Sequence, residues 1–329
     1  MDWSGAITNG IISALGPVAI AYAVSAIGLN LQFGFTGLLN FGHVAFMMVG
    51  AYGTAATVEA GGSLWLGIGV GILAAVVLGL LLGLPTLRLR ADYLAITTIA
   101  AAETLRLLVR SPVTRSVTGG VFGIQGFAEE FHALNPFGAS TGYAIGPLVV
   151  SGRRLFVMIV GWTVVLILAL IVRRLVKSPW GRLLKAIRED EDATRSLGKN
   201  VFVAKLQALA LGGALASVGG VLLAIEQQNV SPDSFLPQVT FIIYVVVILG
   251  GAGTIWGPML GAVIFQFFFY FVDSVMRQAQ ANVSWVGAIL DSAGAAQIRF
   301  VLVGLGLMAL LVFRPQGMLG SRREALVDG

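Results

Sequence analysis

The chain is poor in the residues from which most catalytic and metal centres are built. Its 329 residues include no cysteine and two histidines, His43 and His132, and only 11% are Asp, Glu, Lys or Arg. Disulfides and thiolate metal sites are therefore excluded, and no cluster has metal-ligand spacing. No Ser/His/Asp arrangement can be traced, which leaves an integral membrane enzyme without a visible catalytic constellation. The phosphate loop G-x-x-x-x-G-K-[ST] is missing too, because Gly198-Lys199 lacks the upstream glycine. The N-terminus carries Asp2 and no Lys or Arg, so it lacks the basic flank of a cleaved signal peptide, and the first apolar segment is expected to be retained.

Charge is absent from long stretches: Trp3 to Val58, Ala60 to Leu87, Leu206 to Ile225 and Ser234 to Val272 contain none. With 57% hydrophobic residues and 43 glycines, the composition is that of a polytopic helical membrane protein rather than a soluble domain or a coiled coil. A bilayer core needs about 20 apolar residues per helix. The expected spans are 11–30, 38–58, 64–84, 92–109, 154–172, 206–226, 236–250, 255–272 and 299–313, about nine in all, with eight as the alternative. The fold class is all-α: one transmembrane bundle over residues 1–329, with a cytoplasmic segment at about 173–205 and an external loop at about 111–153.

The net charge of +5 does not point to nucleic acid, because the cations do not form an aromatic-interleaved face. Nine of the 21 basic residues lie between Arg173 and Lys205 instead. By the positive-inside rule this loop is cytoplasmic, as are Arg88, Arg90, Arg314, Arg322 and Arg323, and the N-terminus is outside. Arg110, Arg115, Arg153 and Arg154 then fall outside, a violation tolerable beside a long loop. Small residues at helical spacing, Gly79 and Gly83, Ala216 and Gly220, Gly257 and Gly261, are suited to close helix packing in lipid. A faint echo links Gly42–Tyr52 to Gly257–Phe265, as in pseudo-symmetric transporters.

Against this apolar background the stretch KSPWGRLLKAIREDEDATRSLGKN, Lys177 to Asn200, stands out. Pro179 suits an early helical position, and Trp180, Leu183, Leu184 and Ile187 fall at i, i+3, i+4 and i+7 on one apolar face. Arg182, Lys185, Arg188, Glu189 and Asp190 cover the remainder, and Gly198 is a helix stop. The pattern fits an interfacial helix on anionic headgroups or a solvated topology signal. The acidic run Glu189-Asp190-Glu191-Asp192 argues against pure lipid binding and suits a groove on another protein.

Two further regions carry polar groups at membrane depth. From Phe33 to Tyr52, the residues Gly34, Thr36, Gly37, Asn40, Gly42 and His43 suggest a broken helix, because irregular backbone is tolerated there only inside protein or beside a wet cavity. Asn40 and His43 then lie on a translocation path, or His43 donates to a backbone carbonyl in a tight helix junction. Glu103 and Arg106, three residues apart, form an intrahelical pair that borders the pathway or sits satisfied near the interface. Thr97 and Thr98 either soften the lumen or bond back to their own helix.

The run SPWGRLLKAIREDEDATRSLGKNVFVAKLQALALGGALASVGGVLLA resembles the coupling region, followed by its Gly/Ala-rich helix, of permease subunits of branched-chain amino acid ABC importers. The resemblance extends to GLLNFGHVAFMMVGAY, YLAITTIAAAETLRLLV, TGGVFGI, FIIYVVVILGGAGTIWGPMLGAVIF and FRPQGMLG, in family order over most of the chain. The TGGVFGI loop and the long external segment are similar to the second, longer permease type. The resemblance implies a permease that is not an enzyme and holds no cofactor, with ATP bound by two separate cytoplasmic subunits. It further implies a second homologous permease, a periplasmic or lipid-anchored solute-binding protein facing the external loop, a lipid environment in the bacterial inner membrane, and no nucleic acid.

On this reading a helix built on Gly181 to Leu197 docks into the ATP-binding subunits. The coupling residues are Pro179, Trp180, Gly181, Arg182, Leu183, Lys185, Ala186, Ile187, Arg188, Asp190 and Gly198, and the pathway candidates are Thr36, Asn40, His43, Thr97, Thr98 and Glu103. The implied solute is a branched-chain or related amino acid, with urea or a short amide as the alternative. A stand-alone secondary transporter is the competing class, but it would need a coupling-ion site, and Glu103 is the main acid at suitable depth.

Overall fold

The computed structural model describes residues 3–138, 141–145, 148–282, 301–306, 308–309, 312–314 and 316–320. In chain order the helices are α1 (Trp3–Ala14), α2 (Pro17–Leu29), α3 (His43–Glu59), α4 (Leu64–Thr86), α5 (Ala91–Arg110), α6 (Arg115–Thr118), α7 (Glu129–Ala133), α8 (Gly152–Lys177), α9 (Pro179–Glu189), α10 (Glu191–Ser196), α11 (Val201–Gln227), α12 (Pro237–Gly250) and α13 (Gly257–Asn282). Four short strands, β1 (Ile124–Gln125), β2 (Gly142–Ile145), β3 (Leu148–Ser151) and β4 (Asn229–Val230), are the only sheet among the described residues. Five helices there are long and apolar enough to cross a membrane: Pro17–Gly34, Leu64–Thr86, Gly152–Lys177, Val201–Gln227 and Gly257–Gln280. Pro237–Gly250 is a shorter apolar helix, and the span expected at 299–313 lies partly outside the described residues.

Most of α2 and α11 is buried, whereas α4, α8 and α13 are buried over a minor share of their length. The first two form the centre, against which α3 and α4 pack, and the others turn apolar faces such as Leu73, Leu81, Ile167 and Ile171 outward. Such faces suit hydrocarbon, since each helix satisfies its own backbone. The small residues do what their spacing suggests: a methyl group on Gly79 would sit 2.9 Å from Ala210 Cα, and one on Gly220 would meet the backbone of Met47.

Two expectations are corrected. The first expected span, 11–30, is broken: α1 ends at Ala14, Gly16 is extended, and α2 restarts with Pro17 at its first position. Pro17 has no N–H to give the preceding turn, which separates α1, packed on α13, from the central α2. The coupling segment is likewise two helices rather than one from Gly181 to Leu197. Asp190 adopts extended angles (φ −153°, ψ 106°), and its Oδ1 accepts from the backbone N–H of Ala193 at 2.9 Å, capping α10. An aspartate bonding ahead to the backbone competes with helix continuation, and the acidic run supplied it where the helix was expected to pass through.

The bundle has two distinct ends. At one, Arg88 lies over the Phe202 ring, Leu87 and Leu89 adjoin Glu191 and Lys205, and residues 318–319 bond back to Leu249 and Gly250. At the other, residues 111–138, 141–145 and 148–151 fold over the helix ends. There β1 pairs antiparallel with β4, Ile124 opposite Val230, and Glu130 Oε2 accepts from the Leu64 N–H at 2.6 Å. Arg88, Arg90 and the cations from Arg173 to Lys205 share the first end, as the charge pattern requires.

Candidate coupling site and broken helix

The site begins at the corner between α8 and α9. Ser178 leaves α8 in an extended conformation, donates its hydroxyl to the Leu175 carbonyl at 2.6 Å, and caps α9, with Pro179 at the first helical position. A Cβ on Gly181 would fall on the Val176 carbonyl, so the corner closes this tightly only around glycine. Gly181, Leu184 and Ile187 are buried, Trp180, Leu183 and Ala186 half-buried, and Pro179, Arg182, Lys185, Arg188, Glu189 and Asp190 exposed. The expected apolar face thus turns inward and leaves a mixed-charge ridge outside.

Three side chains tie that ridge to the bundle. The Trp180 indole donates to Gln207 Oε1 on α11 at 2.8 Å. The Lys185 ammonium stands 5.7 Å from the centre of the Phe35 ring, and Arg188 Nη1 donates to the carbonyl of Gly34. Glu191 pairs with Lys205 and, at 2.9 Å, with Arg195, fastening α10 to α11. Gly198 takes φ +75° after α10, in open space.

What Arg188 grips is the break itself. After Leu29 the helix widens into a π-helical turn, Asn30–Gly34, Gly37 reverses the chain at φ +75°, and α3 begins only at His43. Such a π turn is a frequent mark of function. Its polar groups are paired inside: Asn40 Nδ2 donates to Gln32 Oε1 at 2.9 Å, Gln32 Nε2 to the Leu209 carbonyl at 3.0 Å, and Thr36 to the Leu31 carbonyl at 2.8 Å. Asn30 donates to the Thr254 carbonyl at 2.7 Å and accepts from the Gly253 N–H at 2.8 Å, joining this break to the loop between α12 and α13.

The pathway candidates divide into two groups. Thr36, Asn40, His43 and Thr98 are buried: His43 Nε2 bonds to the Ser25 carbonyl at 2.9 Å, and Thr98 bonds back to Ala95 while accepting from the Phe41 N–H at 3.1 Å. These four brace the break. Thr36 also borders a cavity of about 310 Å³ at the cationic end, together with Arg90, Arg188 and Lys205. Thr97, bonded to the Tyr93 carbonyl, and Glu103 instead lie on a face of α5 with exposed Tyr93, Ile96, Ala100, Thr104 and Leu107. Spacings of three and four place these residues on one stripe. Glu103 grips Arg106 through two bonds of 2.6 and 2.9 Å, and Arg106 and Arg110 both reach Asp233. Sequence reasoning missed Asn30, Gln32, Asp233 and the buried Thr240, whose hydroxyl accepts from the Val44 N–H at 3.0 Å at the start of α3, although Asn30 and Gln32 are amides inside a charge-free run and so signalled a buried network.

The family described as "Branched-chain amino acid transport system / permease component" matches residues 11–311. The chain belongs to this family. It is 30% identical to the high-affinity branched-chain amino acid transport system permease protein LivM of Escherichia coli (strain K12), over 98% of this chain and 73% of that protein. It is 25% identical to the high-affinity branched-chain amino acid transport system permease protein LivH of Salmonella typhimurium, over 74% of this chain and 79% of LivH. The autoinducer 2 import system permease protein LsrC of Escherichia coli O9:H4 is 26% identical over 47% of this chain and 42% of LsrC. No solved structure matches. The chain is thus a multi-pass helical membrane permease, a component of a transport system rather than a catalyst.

Proposed function

We propose that the chain is one of two permeases of an ATP-driven importer in the bacterial inner membrane, carrying branched-chain or related amino acids inward. Two cytoplasmic subunits bind and hydrolyse ATP, a solute-binding protein delivers the solute to the folded cap of residues 111–151, and α9–α10 is the joint to the ATP-binding subunits. The observation that carries this is the contact between Arg188, on the exposed ridge, and Gly34, in the break of the central helix. Displacement of the ridge by a closing ATPase pulls directly on the segment between α2 and α3. A packed bundle answers such a pull by switching between discrete arrangements rather than by stretching.

The wall of the pathway contributed by this chain is the α5 stripe, whose Thr97, Glu103 and Thr104 suit water and solute better than lipid. Asn40, His43 and Thr98 hold the break behind that wall. The relatives' names supply the solute class; the nature of the side chain carried is set largely by the binding protein. Uptake of radiolabelled leucine, isoleucine, valine, urea and acetamide by cells with and without the chain tests this reading. Loss of amino acid uptake is expected, and unchanged uptake of every amino acid would sink it.

A further inference from the structure

The corner that leads into the coupling helix also borders a cleft that nothing in the proposed transport cycle uses. It has a volume of about 400 Å³ and is lined by Leu80, Leu175, Trp180, Val203, Leu206, Gln207, Ala210 and Leu211, from α4, α8, α9 and α11. Its one polar lining side chain, Gln207, is engaged by the Trp180 indole, which holds the ring as part of the wall. Leu80, Val203 and Leu211 are each about 40% exposed, so the cleft opens sideways, out of membrane-crossing helices, rather than into the core.

The last three turns of α8 carry a second depression, lined by Ile167, Leu170, Ile171, Arg173, Arg174 and Lys177, and its Ile171 lies one turn from Leu175 of the cleft. Among the described residues, these three cations make no ion pair and no side-chain hydrogen bond, whereas Arg195 and Lys205 nearby are both paired. Unpaired cations at the cytoplasmic end of a span, next to an apolar cleft open to hydrocarbon, match one kind of molecule in charge and polarity. That molecule has two acyl chains and an anionic headgroup.

We propose that an anionic phospholipid of the inner leaflet binds here, with one acyl chain against Trp180 and its phosphate on Arg173, Arg174 and Lys177. The proposal rests on the cationic end being cytoplasmic. It makes the lipid part of the coupling corner, since Trp180 is the second residue of α9. Each cation near an anionic surface favours the charged lipid by about fivefold, so the three together favour it over a zwitterionic lipid by well over tenfold.

Bromine on an acyl chain quenches tryptophan on contact, and the part due to Trp180 is the difference between the wild-type transporter and Trp180→Phe. The intact transporter is reconstituted in vesicles of phosphatidylcholine containing either brominated phosphatidylglycerol or brominated phosphatidylcholine at equal mole fraction. The Trp180 share should be at least about twice as strongly quenched by the anionic lipid, given the expected preference. In Arg173→Gln/Arg174→Gln/Lys177→Gln that preference should vanish while quenching by phosphatidylcholine persists. Equal quenching by both lipids in the wild type, or a preference that survives the triple change, overturns the site. So does absence of quenching by either lipid, which would mean that a protein surface covers the cleft. The wild-type comparison stands even if the triple variant fails to insert.

Discussion

Arg188, on the exposed ridge of α9, donates a hydrogen bond to the carbonyl oxygen of Gly34, in the π-helical turn where the central helix breaks. In the proposed cycle, one end of the contact lies on the surface offered to the ATP-binding subunits and the other on the segment that moves. A bond from a charged donor is worth about 1.5–3 kcal/mol net, enough to bias a two-state element but not to hold the fold.

Arg188→Ala should therefore fold and insert normally yet lose the coupling. In proteoliposomes with the full set of subunits, solute-stimulated ATP hydrolysis and uptake should fall on the order of tenfold, for a lost charged bond. Arg188→Lys should recover only part, since a lysine ammonium does not reproduce the planar fork. Normal uptake by Arg188→Ala would show that the contact transmits nothing.

Gly181 sets the corner. Even Gly181→Ala places a Cβ against the Val176 carbonyl, and Gly181→Leu cannot be accommodated without reopening the turn. Both should lower uptake, leucine more than alanine, with membrane insertion and the amount of chain unchanged. If the changes merely abolish insertion, as judged by membrane fractionation, the stretch is a topology signal and the coupling role is lost.

Asn30 offers a test of the link between the two breaks. Asn30→Ala leaves the Gly253 N–H and the Thr254 carbonyl without their partner, each at a cost of about 1–3 kcal/mol. Asn30→Asp should be worse, because it keeps the acceptor for Gly253 but sets a carboxylate oxygen against the Thr254 carbonyl. Thermal unfolding in detergent should rank the proteins wild type, Asn30→Ala, Asn30→Asp, and the reverse order of the two variants would contradict the assigned bonds.

Much of this arrangement was legible in the residues themselves. The apolar face of Trp180, Leu183, Leu184 and Ile187 and the broken helix between Phe33 and His43 followed from periodicity and from polar groups at depth. The pairing of Glu103 with Arg106 followed from their spacing. What escaped was non-local. Nothing in the local pattern says that Arg188 meets Gly34, that Asn30 meets Thr254, or that Asp233 reaches Arg106 across 127 positions of sequence. The single helix expected from Gly181 to Leu197 failed for a local reason, as Asp190 prefers to cap a new helix over continuing the old one.

The natural lack of cysteine makes the α5 stripe easy to probe. Thr97→Cys and Thr104→Cys should react with a membrane-impermeant thiol reagent in the assembled transporter, and saturating solute should slow the reaction. Asn40→Cys, at a nearly fully buried position, should stay unreactive on the same timescale. Labelling of the stripe only after the membrane is dissolved would place it against lipid or protein.

His132 predicts an acid response of the segment between α5 and α8. Burial, with the positive charge of Arg153, holds its imidazole below the usual range despite the bond to the Ile225 carbonyl. A histidine whose folded pKa is depressed stabilises the fold fully at pH values above its unfolded pKa of about 6.5, and that stability drains away as the pH falls toward the folded value. Protection factors in β1 and α7, taken relative to the intrinsic amide exchange rate at each pH, should therefore fall between neutral and mildly acidic pH, and His132→Gln should flatten the change.

The central claim is that this permease works as one member of an ATP-driven assembly joined through α9 and α10. The most direct measurement is purification of the tagged chain in mild detergent, with mass spectrometry of what accompanies it, from wild-type cells and from cells carrying Gly181→Leu. The account predicts ATP-binding subunits and a second permease with the wild type, and fewer ATP-binding subunits with the variant. Recovery of the chain alone, with transport intact, would contradict it.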